Sequence, residues 1–276
     1  MMYRTRFAPS PTGLLHLGHA FSALTAQARA EAGGGTALLR IEDTDRARCR
    51  PEYEAAIYDD LAWLGFRWEG SVRRQSDHLA DYQAALDRLI AMGLCYPCGC
   101  TRADIAAAAP QEGAAPGVYP GTCRHRTMDG YRPGEAIRLN LAKALAKAPG
   151  PLAFDETGAA HAGRHSVDPD RLIAETGDIV LSRKDIGPGA YHLAVVVDDA
   201  LQGITDVVRG EDLFDASYLH VVLQALLDLS TPLYHHHRLI RDEAGKRLAK
   251  RDDARAIATY RAEGATPGDI RRMIGL

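Results

Sequence analysis

The first 42 residues alternate between strand-like and helix-like patterns, and this alternation restricts the possible folds more than any other feature. YRTRFA (3–8) predicts a short strand, which ends at the prolines that follow because proline lacks a backbone donor. A helix pattern runs from Leu17 to Ala32 and stops at Gly33-Gly34-Gly35, and TALLRIE (36–42) is strand-like again. Two parallel strands joined by a helix require a right-handed crossover. The pattern therefore predicts an α/β sheet with helices on its faces.

The rest of the chain repeats this mixture of helices and strands. Pro51 is typical of a first helical residue, and Gly93 of a helix end. Further helices are predicted at 51–64, 78–92 and 215–228, with two short helices closing the chain. Further strands are predicted, from their β-rich composition, at 135–141, 179–183, 192–199, 207–210 and 233–240. These elements predict a doubly wound α/β fold.

Composition sets broad limits on partners. A chain of 276 residues can bury one core and has room for an inserted subdomain. Its net charge of -3 gives no general attraction to nucleic acid, so any RNA contact must come from local basic patches.

Membrane helices and a signal peptide, where a sequence has them, indicate where a protein is located. No run approaches the roughly 18 apolar residues that a membrane helix needs. MMYRTRFAPSPTG has arginines and prolines where a signal peptide needs an apolar segment, so we expect a cytoplasmic protein. Four of the five cysteines lie between positions 95 and 123. In a reducing compartment such crowding indicates metal binding before a disulfide.

The loop from Pro9 to His19, PSPTGLLHLGH, is the first candidate site. Ligands of open α/β sheets bind beyond the carboxyl ends of strands, where a helix N-terminus faces the crevice. Gly13 and Gly18 have no side chains to block a nucleotide. His16 and His19 are three residues apart, on one face of the first helical turn, so their N–H groups could meet phosphate charge. The alternative is a proline-rich turn with two surface histidines.

This loop resembles the signature of a known family. Arg6-Phe7-Ala8-Pro9-Ser10-Pro11-Thr12-Gly13 followed by His16-Leu17-Gly18-His19 closely resembles glutamyl- and glutaminyl-tRNA synthetases, in which HLGH is the HIGH-type ATP motif. The resemblance implies a Rossmann-like class I catalytic domain that binds L-glutamate and ATP, with Mg²⁺ accompanying the nucleotide. It implies catalytic roles for His16, His19 and Lys250. It implies ATP contacts from Pro9, Gly13, His16, Gly18, His19 and Lys250.

Lys250 is identified through a second motif. Arg247-Leu248-Ala249-Lys250-Arg251 lies where class I synthetases carry their KMSKS loop, with Arg247 in place of the first lysine and Ala249 in place of the serine. A lysine on a flexible stem can follow pyrophosphate as it leaves. The alternative for this segment is a basic, solvated loop.

The choice of glutamate can be argued from charge. Its two carboxylates need cations and its ammonium needs an anion. The guanidinium of Arg6 can hold a carboxylate through two hydrogen bonds, and Glu42 is placed to bind the ammonium. By resemblance the glutamate-contacting residues are Arg6, Phe7, Ala8, Pro9, Ser10, Glu42, Tyr191 and Arg209. The alternatives are a solvated turn or helix cap for Glu42 and a core position for Tyr191. Asp198 and Asp199 receive no role.

The cysteine-rich segment indicates zinc. Cys98-x-Cys100 and Tyr119-x3-Cys123 resemble the site of glutamyl-Q tRNA(Asp) synthetases, a truncated branch of the family, and four such ligands would hold a structural Zn²⁺. His125, a commoner type of ligand, and Cys95 remain alternatives, as do reduced cysteines without metal. His235-His236-His237 is interpreted as part of a strand, because adjacent strand residues point to opposite faces.

The predicted domain organisation is a catalytic domain interrupted by one insert. Its parts are residues 1–93 (first half of the catalytic domain), 94–130 (zinc-binding insert), 131–240 (second half) and 241–276 (KMSKS-like loop and C-terminal helices). Only 26 residues follow Lys250, so no anticodon-binding domain is expected.

The resemblance to the glutamyl-Q branch implies a two-step activity. Glutamate is activated without tRNA and is then transferred to the cyclopentene diol of queuosine, at the wobble position of tRNA(Asp). The alternatives are a stand-alone enzyme that charges a tRNA 3′ end and a non-catalytic RNA-binding relative.

Overall fold

The computed structural model describes residues 2–108, 113–241 and 255–276. In these ranges the chain alternates between short strands and helices along its whole length. The strands are β1 (Arg4–Phe7), β2 (Thr36–Ile41), β3 (Arg73–Arg74), β4 (Cys95–Cys98), β5 (Ala136–Leu139), β6 (Ala153–Glu156), β7 (Gly163–Ser166), β8 (Val180–Ser182), β9 (Asp206–Gly210) and β10 (Leu233–His237). The helices are α1 (Leu17–Ala32), α2 (Pro51–Leu64), α3 (Leu79–Ala91), α4 (Arg102–Ala107), α5 (Leu141–Lys147), α6 (Pro169–Glu175), α7 (Tyr191–Leu201), α8 (Ala216–Leu226), α9 (Ile257–Ala262) and α10 (Pro267–Ile274).

The predicted strand–helix–strand unit is confirmed. β1 pairs with β2 in parallel, with Arg4 opposite Thr36 and Phe7 opposite Leu39, and β2 pairs in parallel with β3. The start of β2 passes so close to β1 that a Cβ atom on Gly35 would lie 1.8 Å from the carbonyl oxygen of Tyr3. Only glycine fits there.

A second sheet continues beside the first. Its order is β7-β6-β10-β9, and its pairs are parallel except for antiparallel β6 and β7. β1 and β9 lie side by side and run in the same direction, since Thr205 N donates to the Arg4 oxygen (3.0 Å) and Arg6 Nη1 donates to the Val208 oxygen (3.1 Å). The carboxyl ends of β1, β2, β9 and β10 therefore meet at one edge.

A small antiparallel sheet supports the cysteine-rich segment. Its order is β4-β5-β8, with Cys98 opposite Ala136. The cluster of Cys98, Cys100 and Cys123 lies where the chain leaves β4. The division into four domain segments stays a prediction.

The predicted strand at 192–199 is wrong, because Tyr191–Leu201 is the helix α7. Its residues from Leu193 to Asp199 are all buried. A helix that is covered on every side has no polar stripe, so the apolar run and its three valines resemble a buried strand in sequence. Tertiary burial here outweighs the strand preference of valine.

The hydrophobic core falls into two main clusters. One joins α1 and α2 to the β1–β2 sheet and to the C-terminal helices through Ile257 and Ile270. The other packs α3, α7 and α8 against the antiparallel sheet. None of the helices in the described part of the chain combines the length and the apolar character that crossing a bilayer requires.

Candidate functional site

A cavity of about 400 Å³ opens at the edge where the carboxyl ends of the parallel strands meet. Most residues predicted from the signature and the glutamate argument line this cavity: Arg6, Phe7, Ala8, Pro9, Ser10, His16, Gly18, His19, Glu42, Tyr191 and Arg209. Gly13 does not line it. The structure thus gathers groups from β1, α1, β2, α7 and β9 around one space.

Lys250 and the rest of the KMSKS-like motif, Arg247 to Arg251, lie outside the described residues. The nearest described residues on either side can be placed. Ile240 lines the cavity, and Ala256 forms an antiparallel bridge with His16.

The two histidines of the HLGH motif cap the helix α1. Nδ1 of His16 accepts from the backbone N–H of Gly18 (3.1 Å), and Nδ1 of His19 accepts from the N–H of His16 (3.1 Å). Their rings lie 3.8 Å apart between centroids. Because each Nδ1 accepts, each neutral ring carries its proton on Nε2. The capping therefore orients two N–H donors at a helix N-terminus, where negative charge is favoured.

Gly18 serves this arrangement as well as the cavity. A Cβ atom on Gly18 would lie 3.0 Å from Cε1 of His16, closer than side chains normally pack. The sequence predicted that Gly18 leaves room for a nucleotide. The structure shows that it also leaves room for the imidazole of His16.

Arg6 is held by one buried carboxylate and one backbone oxygen. Its Nε and Nη2 donate to Asp199 (2.9 and 3.3 Å), and its Nη1 donates to the Val208 oxygen (3.1 Å). Only 4% of Arg6 is exposed. Each terminal nitrogen keeps one further N–H, so the Nη1–Nη2 edge can hold a carboxylate from the cavity side.

Among the described residues, Glu42 is one of two carboxylates that line the cavity, the other being Asp212. Its Oε1 accepts from Nη2 of Arg40 (3.1 Å), and Arg40 in turn donates to Asp199 (2.7 Å). Burial raises the pKa of Glu42, an effect that the charges of Arg40 and Arg6 partly offset. A cation in the cavity would therefore complete the neutralisation of this carboxylate.

Arg209 enters the cavity from β9. Its Nε donates to Nε2 of His236 (3.0 Å), and its Nη1 donates to Nδ1 of His220 (3.2 Å). Its Nη2 donates to Oγ of Ser217 (2.7 Å) and to a backbone oxygen. Arg209 is 5% exposed, and among the described residues its hydrogen-bond partners are imidazoles, a hydroxyl and a backbone oxygen, with no carboxylate in direct contact. Its positive charge is therefore available to an anion in the cavity.

Tyr191 has a different environment from a core aromatic residue. It is 38% exposed and lines the cavity.

Among the three adjacent histidines, His236 is buried against Arg209 while His237 lines the cavity, in agreement with their opposite directions on a strand.

The cysteine cluster is a second candidate site. The sulfur atoms of Cys98, Cys100 and Cys123 all lie within 4.8 Å of one another. The phenol oxygen of Tyr119 lies among them, 3.4 Å from Cys98 Sγ and 3.6 Å from Cys100 Sγ, and it accepts from the N–H of Cys123. One phenol and three thiols thus converge on a common centre.

These distances fit a tetrahedral metal site. Metal–sulfur bonds of about 2.3 Å and a metal–oxygen bond of about 2.0 Å give edges of roughly 3.8 Å between sulfurs and 3.5 Å between sulfur and oxygen. The Cys100–Cys123 edge is 3.5 Å, and the two edges to Tyr119 are 3.4 and 3.6 Å. These three edges match a bound zinc ion, and the remaining sulfur–sulfur distances are at most 4.8 Å.

The two rival ligands lie elsewhere. Cys95 is part of the hydrophobic core beside α3, and burial raises the pKa of its thiol to about 12. His125 is exposed and does not belong to the converging group. The geometry favours Tyr119 as the fourth donor.

Arg138 supports Tyr119 from below. Its guanidinium carbon lies 3.8 Å from the centre of the tyrosine ring. A cation over an aromatic face is attracted to it, so Arg138 holds the ring of Tyr119 beside the cysteines.

Sequence reasoning missed the residues that hold these sites together. Asp199 lies 193 residues from Arg6, and Arg138 lies 19 residues from Tyr119, so no short motif joins either pair. The adjacent carboxylates Asp198 and Asp199 inside an apolar run were the available signal, since buried carboxylates need cationic partners.

Comparisons with known proteins agree with this geometry. Residues 2–276 match the sequence family described as tRNA synthetases class I (E and Q), catalytic domain. The glutamyl-Q tRNA(Asp) synthetase of Rhodobacter capsulatus is 58% identical, over 99% of both chains. That of Geobacter sulfurreducens is 43% identical, over 93% of this chain and 78% of the other.

Solved structures share the fold. A glutamate tRNA ligase from Elizabethkingia meningosepticum, in complex with its amino acid, superposes with a TM-score of 0.76 at 27% identity. The match covers all of this chain but 61% of that longer protein. Methionyl-tRNA synthetase of Mycobacterium tuberculosis superposes with a TM-score of 0.58 at 11% identity, a likeness of fold alone.

Proposed function

The chain belongs to the catalytic-domain family of class I glutamyl- and glutaminyl-tRNA synthetases, and from this premise we propose that it activates L-glutamate with ATP and transfers it to queuosine in tRNA(Asp). The observation that carries the proposal is the cavity itself, which brings Arg6, Arg209 and Glu42 beside the imidazoles of His16 and His19. Among the charged residues of the lining, Arg6 and Arg209 can pair with the two carboxylates of glutamate and Glu42 with its ammonium, and the two imidazoles line the same space.

Glutamate can be placed in this arrangement by its charges. The Nη1–Nη2 edge of Arg6 donates paired hydrogen bonds to one carboxylate. Glu42 binds the ammonium, and Arg209 supplies the second positive charge. Glutamine lacks one negative charge, so it would leave a buried guanidinium without its counter-ion.

The first chemical step is adenylate formation. The α-carboxylate of glutamate attacks the α-phosphate of ATP, the bond to pyrophosphate breaks, and glutamyl-adenylate forms. His16 and His19 donate hydrogen bonds to the phosphoryl oxygens as their charge grows, and Lys250 would hold the departing pyrophosphate. Mg²⁺ supplies further charge neutralisation when it accompanies ATP.

The second step transfers the acyl group. A hydroxyl of the queuosine cyclopentene diol attacks the activated carbonyl, loses its proton, and AMP leaves. The relatives named glutamyl-Q tRNA(Asp) synthetase, and their coverage of nearly the whole chain in one case, support this choice of acceptor.

Zinc has a structural role in this proposal. Cys98, Cys100, Tyr119 and Cys123 would occupy all four positions around Zn²⁺, which leaves none for a substrate. The ion would fix the segment that follows β4.

Lys250 can be tested by substitution. We expect Lys250→Ala to slow adenylate formation at least about 10²-fold, as for the loss of one preorganised charge contact. ATP–pyrophosphate exchange with glutamate measures this step. Exchange close to that of the unmodified protein would remove Lys250 from the mechanism.

The acceptor can be tested by transfer of labelled glutamate onto two preparations of tRNA(Asp), one with queuosine and one with guanosine at the wobble position. We expect label only on the first preparation. Periodate oxidises an unprotected diol, so the labelled tRNA should resist oxidation at queuosine. Equal labelling of both preparations would indicate charging of the tRNA 3′ end and contradict the proposed acceptor.

A further inference from the structure

Arg209 is surrounded by groups that accept hydrogen bonds. His236 Nε2 accepts from Nε, His220 Nδ1 accepts from Nη1, and Ser217 Oγ and the Leu213 oxygen accept from Nη2. These contacts use four of the five guanidinium N–H groups. Within the described residues, one N–H on Nη1 is left for a ligand in the cavity that Arg209 lines.

The guanidinium dictates the tautomers of both imidazoles, because it donates and never accepts. His236 accepts at Nε2, so its proton lies on Nδ1, where it meets Glu156. His220 accepts at Nδ1, so its proton lies on Nε2 and is donated to Nδ1 of His192 (3.1 Å). The hydrogen bonds between Glu156 and His192 are therefore compatible with one set of proton positions, on Nδ1 of His236 and on Nε2 of His220.

Both rings are deeply buried, since His220 and His236 are each 2% exposed. A second positive charge beside Arg209 would be unfavourable there. Burial first, and then the charge of Arg209, lowers the pKa of His220 well below its ordinary value. For His236, burial lowers the pKa and Glu156 opposes the shift. The rings therefore remain neutral acceptors for Arg209.

We propose that His220 and His236 are positioning residues that aim the remaining N–H of Arg209 at a substrate carboxylate. His236 accepts through its Nε2 from Nε of Arg209, and His220 accepts through its Nδ1 from Nη1. The two rings therefore hold two different nitrogens of the guanidinium. This inference rests on the proposed function, since Arg209 is taken to bind glutamate. Neither histidine belongs to the HLGH motif, and neither lines the catalytic cavity.

The difference between the two accepting nitrogens gives a crossed experiment. An asparagine amide oxygen lies near the position of Nδ1, and a glutamine amide oxygen lies near that of Nε2. His220→Asn should therefore keep the acceptor for Arg209 and His220→Gln should misplace it. At position 236 the order reverses, so that His236→Gln keeps the acceptor and His236→Asn loses it. All four variants are polar and similar in size to histidine.

The measurement is ATP–pyrophosphate exchange by the full chain, with glutamate and ATP varied separately. We expect His220→Gln and His236→Asn to raise the KM for glutamate at least about tenfold, as for the loss of one hydrogen bond to a charged group. The KM for ATP should stay within about twofold. His220→Asn and His236→Gln should show a KM for glutamate within about threefold of that of the unmodified protein.

Two results would overturn this inference. One is the same KM for glutamate in both variants at each position. The other is a parallel rise in both KM values, as a general structural role would give. Absence of exchange in the unmodified protein would instead defeat the proposed function, so the two failures can be told apart.

Discussion

The catalytic cavity and the cysteine cluster both remove ionisable groups from water, but they balance charge in different ways. Beneath the cavity, Arg6 and Arg40 share Asp199, so protein groups neutralise one another. In the cluster, three thiols and the phenol of Tyr119 converge on one another, and such donors bind a metal as anions. The supports of the cavity therefore balance charge within the protein, whereas the cluster has the donors that a metal cation would balance.

Among the tests of this difference, Asp199→Asn should have the largest effect, a loss of stability. Two buried guanidinium groups would lose a charged partner, and breaking a buried ion pair costs about 3–5 kcal/mol. We expect the free energy of unfolding in urea at pH 7 to fall by about 3 kcal/mol.

A matched control uses the exposed pair of Arg164 and Asp155, whose side chains are 65% and 50% exposed. Asp155→Asn should change the free energy of unfolding by less than about 0.5 kcal/mol, because water screens exposed pairs. Equal losses in both variants would mean that the buried carboxylates are not structural supports of the cavity.

The second effect concerns the cluster. Tyr119→Phe removes one of four converging donors, and we expect its zinc affinity to fall at least about tenfold, since even outer partners of metal ligands are worth 10–100-fold. His125→Ala should retain the zinc affinity of the unmodified protein. Competition with a chromogenic chelator measures both. A loss of affinity only in the His125 variant would reverse the assignment of the fourth ligand.

The smallest expected effect is a dependence of the KM for glutamate on pH. Burial raises the pKa of Glu42, so its carboxyl group gains a proton at a higher pH than an ordinary glutamate. Binding of the substrate ammonium requires the ionised form. We therefore expect the KM for glutamate to rise as the pH falls from 8 toward the pKa of Glu42, and to begin rising at a higher pH than an ordinary glutamate would give, because the protonated fraction of Glu42 grows.

The control for this prediction is Glu42→Gln. That variant should have a higher KM for glutamate at pH 8 and a flatter dependence on pH. A KM that rises equally in both proteins as the pH falls would assign the titration to another group.

Helices whose ends are marked by proline or glycine were predictable from the sequence. The helix α1 ends at consecutive glycines and α2 begins at Pro51, and both were predicted with the bounds that the structure shows. β6 and β7 were not predicted, because strands of four residues are too short to show a clear alternation of apolar and polar side chains. The error at α7 has a physical cause, because a helix buried on all sides loses the periodicity that identifies it.

The candidate site also has a part that the sequence predicts and a part that it does not. His16, Gly18 and His19 lie within four residues of one another, so a short motif could identify them. The supports of the cavity, such as Asp199 for Arg6 and His220 for Arg209, come from distant helices. Their role depends on tertiary contacts, which one sequence without structure does not reveal.

The most direct test of the account is ATP–pyrophosphate exchange by the purified, zinc-replete protein in the absence of any RNA. The arrangement of Arg6, Arg209 and Glu42 predicts exchange that depends on L-glutamate and is at least about 10²-fold weaker with glutamine, as expected when buried charged groups lose their partner. Absence of glutamate-dependent exchange, or equal exchange with glutamine, would contradict it.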